Sequence, residues 1–447
     1  MKKYECKIIP LGMNCTTAIS LESMDMRNLA YPFDYITSSY AYIRKVLVLE
    51  KNSAKLFVNE YFSDKNFNKA SCKHTDGAEF PHTTPDKNWI WGGNDIMEKY
   101  IRRIERLLDM IDNEQNIIFI IGSFNHDKDN TTFNEANCTD IINYINFRRN
   151  NKKSYFITYN LCNEKFETDC NHINFNMNII KNDEINYKLM GQTLKTCIKY
   201  LSNNNVCHFI TYGNQNYINS RKRIANEAKD FNLFSSINVY TPDDIDSSYK
   251  NKYKDIFSAS RGGGYWIWKF YIINKKLNEI NENEYLIYLD AGCSINNFGK
   301  MRFYEYINMF ADCDSKYGIM SFQMPHTEKF WTTNQLFEYF DVKENSEIVN
   351  SGQYLGGIII IKKNQHSLSI IKKCLETIEH DPKLITDYYN HDNQNSEFID
   401  SRHDQSILSI VRKVYGSIVI QKDESFFDKF GNPDSLNYPF WATRKHG

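Results

Sequence analysis

The chemistry most visible in the sequence is carried by Asp290. Residues 285–289, Tyr-Leu-Ile-Tyr-Leu, form an apolar run that reads as a buried strand and stops abruptly at Asp290-Ala291-Gly292. Ligands of open α/β sheets collect beyond the carboxyl ends of the strands, so a carboxylate delivered there faces a crevice and can hold a metal–phosphate group. The small Ala291 and Gly292 let a bulky ligand approach the backbone. The competing role for Asp290 is to cap the next turn. Upstream, Arg261-Gly262-Gly263-Gly264-Tyr265-Trp266-Ile267-Trp268-Lys269 combines a glycine run, two cations of the kind a diphosphate needs, and aromatic faces on which a base or sugar ring can stack. Its plainer reading is a loop-to-helix joint whose tryptophans anchor the helix in the core. Asp404, in Arg402-His403-Asp404-Gln405-Ser406, opens a helix, where a carboxylate satisfies free N–H groups. It could also face a bound sugar, as base for an acceptor hydroxyl or as a hydrogen-bond partner for donor hydroxyls. In the first half of the chain, Cys15 follows a strand and a turn and opens a helix, where the dipole lowers a thiol pKa and makes a nucleophile. A small buried hydrophobe is the alternative. His82 is the best base candidate in the long irregular stretch of residues 64–94.

The elements that must position these residues alternate. Residues 6–12 read as a strand and 17–24 as a helix; 97–111 as an amphipathic helix; 116–122 as a buried strand; 140–149 as a helix; 154–159 as a strand; 187–201 as a last helix before the polar break Ser202-Asn203-Asn204-Asn205. Alternating strands and helices imply a mainly parallel sheet with helices on both sides. The pattern restarts at residues 206–212, a strand ending in Tyr212, followed by a helix over 217–231 and a short strand over 237–240. Without a G-x-G-x-x-G fingerprint, dinucleotide cofactors are disfavoured. Further strands are expected at 318–324 and 354–361, the latter containing Gly356 and Gly357. A helix is expected over 406–415, with Ile407, Ile410, Val411 and Val414 as its buried stripe. The expectation is therefore two α/β domains, 1–203 and 204–447.

Composition narrows the class. A chain of 447 residues is too long for one ordinary core. A formal net charge of −1 gives no global basic field, so nucleic acid is a poor partner. The 30 tyrosines and 29 phenylalanines suit cores first and sugar-stacking clefts second. The 11 cysteines show no C-x-x-C pair, residues 1–15 lack the apolar centre of a signal peptide, and no apolar run approaches the ~20 residues that span a bilayer. Reduced thiols and a soluble, cytoplasmic protein are the expectation, with peripheral membrane association through a partner or lipid acceptor left open.

Two resemblances add to this reading. Pro10-Leu11-Gly12-Met13-Asn14-Cys15, the stretch LAYPFDYITSS, Phe80-Pro81-His82 and the arginine-rich KYIRRIERL are similar to an uncharacterised family of papain-like cysteine peptidases over roughly residues 5–125. That resemblance implies Cys15 as nucleophile, His82 as its base and Asp34 as an orienting acid. The alternation of strands and helices disagrees with a papain layout, which sets a long helix against an antiparallel barrel. It also permits an SGNH-hydrolase-like arrangement, with Cys15 in the serine position, an oxyanion donor among residues 122–125 and Asp169 to His172 as acid and base. The second half, through ITYGNQNY, GGGYWIWKFYII, YLDAGCSIN, LGGIIIIKKN, SRHDQS and PFWATRK, resembles glycosyltransferases of the GT-A type from bacteria and viruses, from about residue 206 to the end.

The GT-A resemblance implies a nucleotide-diphospho-sugar donor and a glycan, lipid or protein acceptor. It also implies a site drawn from Tyr212, Arg261, Gly263, Gly264, Tyr265, Trp268, Lys269, Asp290, Gly292, Gly356, Gly357, His403 and Gln405, with Asp404 catalytic. A Mn²⁺ or Mg²⁺ ion on a D-x-D motif would accompany it, but Asp290-Ala291-Gly292 has only one acid. Asp290 with water and His446 are the ligands left to hold an ion, and transfer without metal is the other course. The competing reading is a cysteine hydrolase or peptidase fused to a sugar-binding module that has lost catalysis.

Overall fold

The longest apolar runs, residues 117–121, 285–289 and 358–361, become strands buried on both faces, as helix-covered parallel sheets require. The computed structural model describes residues 6–11, 15–27, 29–34, 36–68, 73–80, 94–122, 135–150, 152–159, 171–175, 180–181, 184–312 and 316–445. The chain divides into two compact units, Met1–Asn204 and Asn205–Gly447.

In the first unit, strands β1 (Lys7–Pro10), β2 (Asn116–Gly122), β3 (Lys153–Tyr159) and β4 (His172–Phe175) form one sheet in the order β1-β2-β3-β4. Every pairing in it is parallel. Its helices include α1 (Thr16–Glu22), α2 (Asn94–Asn113), α3 (Glu135–Arg149) and α4 (Tyr187–Ser202), and two more, Tyr40–Leu47 and Ala54–Ser63, stand in a stretch where no helix is expected from the sequence. Alternate residues of β2, namely Ile117, Phe119 and Ile121, join one apolar cluster with Ile104 and Leu108 of α2 and Ile141 and Ile145 of α3. Helix α4 approaches α1 so closely that a Cβ at Gly191 would lie 2.6 Å from the Ser20 carbonyl oxygen. A glycine is what lets the two backbones meet. The sheet is the parallel one that the alternation implied, and no antiparallel barrel is present among the described residues.

The second unit centres on β5 (Cys207–Tyr212), β6 (Ser236–Tyr240), β7 (Tyr285–Leu289) and β10 (Ile358–Lys362), in the order β6-β5-β7-β10. The first three are parallel and β10 runs antiparallel beside β7. Helix α5 (Ile218–Phe231) follows β5 and α6 (Trp268–Glu279) precedes β7. A second sheet joins β8 (Met320–Thr327) to the short β9 (Gly352–Tyr354) and to β11 (Ile418–Ile420). Helices α7 (Gln365–His380) and α8 (Asp404–Tyr415) complete the apolar cluster over Ile210, Leu286, Tyr288, Ile359 and Ile361.

Two expectations need correction. Residues 354–361 are not one strand: Tyr354 ends β9 in one sheet, Ile358 begins β10 in the other, and Leu355-Gly356-Gly357 carries the chain between them. An apolar run with an internal glycine pair reads continuously in sequence, although glycine inside a strand pattern often marks such a break. On α8, Ile407, Ile410 and Val411 are buried but Val414 is 38% exposed, because the helix is ending there. Among the described residues no helix is long and apolar enough to cross a membrane.

Candidate functional site

The topology of the second unit brings four chain ends to one edge. The parallel strands β5, β6 and β7 finish there at Tyr212, Tyr240 and Leu289, and antiparallel β10 begins there just after Gly356-Gly357. Asp290 is thus set beside Gly357, whose carbonyl accepts the Asp290 N–H at 2.9 Å. A Cβ at Gly357 would lie 2.9 Å from Asp290 Oδ2, so only a glycine leaves that carboxylate in place. Two residues before it on the same face of β7, the Tyr288 hydroxyl donates to Asp290 Oδ1. Arg223 of α5 donates to the Ala291 carbonyl at 2.9 Å, bracing the turn from behind.

At the centre lies Lys269. Its side chain is 3% exposed, and its ammonium stands 3.2 Å from Asp290 Oδ1, 2.5 Å from Asp404 Oδ2 and 3.2 Å from the Gly356 carbonyl oxygen. An ammonium has three N–H donors, and here three acceptors surround it. Burial alone would pull the lysine pKa down; the two carboxylates outweigh it and hold it above the ordinary range. For Asp404 burial is the larger influence and raises its pKa to about 6, against the opposing pull of Lys269 and with a further push from Asp290. The Asp290 side chain is 40% exposed and the Asp404 side chain 7%. The group therefore presents one open carboxylate and one nearly enclosed carboxylate that share a buried cation.

Further contacts fix Asp404 from the rest of its loop. Gln405 Oε1 accepts the Gly356 N–H at 3.0 Å, and Gln405 Nε2 donates to Gln353 Oε1 at 2.5 Å. Gln353 in turn donates at 3.1 Å to the fully buried Glu328, which also accepts from Thr332 at 2.6 Å and pairs with Lys413 of α8 at 3.2 Å. His403, immediately before Asp404, has φ +53° and ψ −118°, a conformation costing a non-glycine residue about 1–3 kcal/mol. It is held there by Asp387 on Nε2 at 2.8 Å and by the Tyr265 ring, stacked with centroids 5.3 Å apart. Burial lowers the His403 pKa, so the ring is neutral near pH 7.

The glycine run is a left-handed turn. Gly262, Gly263 and Gly264 have φ of +60°, +60° and +95°, and Tyr265 and Trp266 continue it at +51° and +59°. Only glycine enters this region without strain, which explains the first three positions. Trp268 then stacks on Tyr212, ring centroids 3.7 Å apart, and donates from Nε1 to the Gly262 carbonyl at 2.9 Å. A Cβ at Gly263 would be 3.8 Å from both Asn214 Nδ2 and Trp268 Nε1, so this turn borders the end of β5. Arg261 points elsewhere in the network: it pairs with Asp387 at 2.9 Å and Asp400 at 2.8 Å.

Lys269, Asp290, Gly356, Gly357, Asp404 and Gln405 thus form one contiguous cluster, and Tyr212, Trp268, Gly263, Tyr265 and His403 adjoin it by stacking and close approach. Sequence reasoning misses Tyr288, Gln353 and Glu328 as supports. Tyr288 was accessible through strand alternation, two positions before Asp290; Glu328 is an acid in a polar stretch with no local sign of burial.

A divalent ion fits this arrangement poorly. Among the described residues no three His, Cys, Asp or Glu side chains converge to hold one. Asp290 Oδ1 is already engaged by a hydroxyl and an ammonium, and Gly292 supplies no ligand. His446 lies outside the described residues, as do His82, Ser123, Asn125 and Asp169.

The first unit's candidates are less organised. Cys15 precedes α1 and is half-buried, and burial pushes its thiol pKa up. The expected lowering by the helix terminus is therefore outweighed, since α1 has only 7 residues and the thiol is desolvated. Asp34 is buried and committed to its own turn, accepting the Tyr31 N–H at 2.7 Å and Arg27 at 3.0 Å. His172 sits in β4 against the Thr158 hydroxyl at 2.8 Å.

No curated protein sequence matches the chain. Among solved structures, a glycosyltransferase involved in the glycosylation of the major capsid of PBCV-1 is similar at 10% identity over 53% of this chain and 92% of its own, with a TM-score of 0.31. Mouse xyloside xylosyltransferase 1 matches at 10% identity over 54% of this chain and 98% of its own, TM-score 0.31. The galactosyltransferase LgtC in complex with donor and acceptor sugar analogues matches at 12% identity over 52% and 83%, TM-score 0.29. In the first unit, residues 6–158 match the model of the family described as "Putative papain-like cysteine peptidase".

Proposed function

We propose that the unit Asn205–Gly447 is a glycosyltransferase that moves a sugar from a nucleotide-diphospho-sugar to a hydroxyl of a glycan, lipid or protein acceptor. The observation that carries this reading is the Asp290–Lys269–Asp404 cluster at the carboxyl edge of a mainly parallel sheet, where open α/β sheets hold their ligands. Asp290, the open carboxylate, faces the donor sugar hydroxyls. Asp404, with a pKa of about 6, is ionised at neutral pH yet basic enough to take a proton. In transfer, the acceptor oxygen bonds to the anomeric carbon, the bond from that carbon to the diphosphate oxygen breaks, the electron pair leaves with the nucleoside diphosphate, and the acceptor proton passes to Asp404. Lys269 keeps both carboxylates in place and offsets one of their two charges; its N–H groups are filled, so it positions and does not touch the diphosphate. The network from Glu328 through Gln353 and Gln405 to Gly356 fixes the edge on which the sugar rests.

The reading includes no thiol chemistry in the first unit. Burial pushes the Cys15 thiol pKa up, and His82, the base that the resemblance implies for it, lies outside the described residues. The deciding experiment incubates the full chain with the diphosphate donors UDP-, GDP- and ADP-sugars and follows donor hydrolysis and transfer to simple acceptors. Turnover of one donor, lost in Asp290→Asn and Asp404→Asn variants that still fold, is expected. A folded protein that neither binds nor turns over any donor would remove the assignment.

A further inference from the structure

Gly292 stands two residues after Asp290, where a D-x-D pair would carry its second acid, and the C-terminal segment of the chain is laid against it. A Cβ at Gly292 would lie 3.4 Å from Arg444 Cα. The Gly292 carbonyl accepts the Lys445 N–H at 2.9 Å and the Thr443 hydroxyl at 2.9 Å. Ser220, in the first turn of α5, donates to the Lys445 carbonyl at 3.3 Å. The strap therefore runs from the Asp290 turn to the start of α5, along the edge where β5 and β7 end. It places two exposed cations there, Arg444 and Lys445, and neither makes an ion pair among the described residues. Arg444 has φ +52°, a backbone state that an arginine adopts at some cost and that the strap enforces.

Two more arginines flank the same edge. Arg221 follows Ser220 and packs its stem at the end of β5, where a Cβ at Gly213 would be 3.1 Å from Arg221 Cδ; its Nε is buried and has no partner among the described residues. Arg402, two residues before Asp404, holds its guanidinium 3.8 Å over the Trp331 ring. Its pKa is lowered by burial first, against the opposing charge of Asp400, and also by the positive charges of Arg444 and Arg261, which puts the Arg402 and Arg444 charges in one electrostatic neighbourhood. Neither Arg221 nor Arg402 has a carboxylate partner at ion-pair distance among the described residues. Elsewhere in this unit the cations of the site are spent, Lys269 on two aspartates and Arg261 on two others.

We propose that Arg444, with Arg221 and Arg402, grips the diphosphate of the donor and stands in for the divalent cation that Gly292 and the engaged Asp290 cannot hold. This rests on the transferase reading. A guanidinium offers a planar fork that matches phosphate oxygens and neutralises the charge that builds on the leaving diphosphate. A hard divalent ion needs several oxygen or nitrogen ligands and is repelled by neighbouring guanidiniums.

The test is calorimetric titration of the full chain with UDP and GDP, and with uridine and guanosine as phosphate-free controls, first in EDTA and then in Mn²⁺. Binding of one diphosphate in EDTA, with the affinity unchanged by Mn²⁺, is the expected result. Arg444→Ala should weaken that binding about ten- to hundredfold, as loss of a charged hydrogen bond does, while leaving the weak nucleoside binding and the melting temperature alone. Arg444→Lys should recover part of it. Nucleotide binding that appears only with Mn²⁺, or an Arg444→Ala protein that binds as well as the original, overturns the arginine grip and leaves the transferase assignment standing. Absence of UDP and GDP binding in both buffers overturns the arginine grip for these donors, and the transferase assignment is then decided by the donor-turnover experiment.

Discussion

Two strand-to-turn junctions carry the candidate chemistry of this chain, and they differ in company. After β1, Cys15 meets a seven-residue helix and a desolvated setting that makes its thiol harder to ionise. After β7, Asp290 meets a buried lysine, a tyrosine hydroxyl and a second carboxylate delivered by a helix more than a hundred residues away in sequence. Position at a strand end is shared; among the described residues, charged partners from distant elements are not. The difference teaches that a strand-end residue becomes a reactive group through what the fold packs around it, and that local motif geometry by itself leaves the question open.

The sharpest way to break this contrast is to remove the shared cation. Lys269→Met should destabilise the second unit by about 3–5 kcal/mol at pH 7, because the buried Asp404 carboxylate loses its charged partner and the more open Asp290 loses a contact. Urea denaturation measures this, and the Lys269→Met/Asp404→Asn double variant should regain a large part of the loss. A Lys269→Met protein as stable as the original would show that the ion pairs are incidental.

Next in size is the effect of Asp290→Asn on turnover. Loss of one carboxylate from the donor side should lower the rate about 10²–10³-fold, roughly 3–4 kcal/mol, with stability changed by about 1 kcal/mol or less. A destabilised variant with full turnover would reduce Asp290 to a turn cap, and the two junctions would then look alike.

The pH dependence of Asp404 is a smaller and more specific signature. Its folded pKa of about 6 lies above that of an unfolded aspartate, so the folded chain holds the extra proton between about pH 4 and 6. The stability it contributes is therefore greatest in acid and falls as pH rises through about 6. As a base it must be ionised, so turnover should rise through the same interval, and a pH–rate profile of the donor reaction should show that limb. A flat profile from pH 5 to 8 would exclude Asp404 as the proton acceptor.

The smallest effect is expected at the first junction. Cys15→Ser should change stability by no more than about 1 kcal/mol, and the Cys15 thiol should alkylate more slowly at pH 7 than a free cysteine. Alkylation faster than the free thiol would place an activating partner beside it and erase the contrast.

Much of the architecture was legible because periodicity and burial coincide. Runs such as residues 117–121 and 285–289 are apolar at every position, and both proved to be helix-covered strands buried on both faces. Asp290, Lys269 and Asp404 were each visible as residues capable of chemistry, since acids and cations beside glycines and strand ends carry a local signal. Their mutual arrangement had none. Nothing within the sequence around Lys269 says that its ammonium will be buried between two aspartates instead of reaching outward, because that outcome depends on where α6, β7 and α8 pack. The break at Leu355-Gly356-Gly357 was hidden for the same reason: an apolar run records burial, and the sheet to which each half belongs is settled by long-range pairing.

By itself the sequence determined the strongly periodic strands and helices, the mainly parallel layering and the identity of the residues able to do chemistry, because these follow from local period, side-chain size and titratable groups. Only the tertiary structure decided which of those groups are charged together, which are spent on one another and which remain free. Burial and distance set that balance: they raise the Asp404 pKa to about 6, keep Lys269 a cation and make Cys15 a poorer thiolate, and neither quantity exists until distant segments have packed.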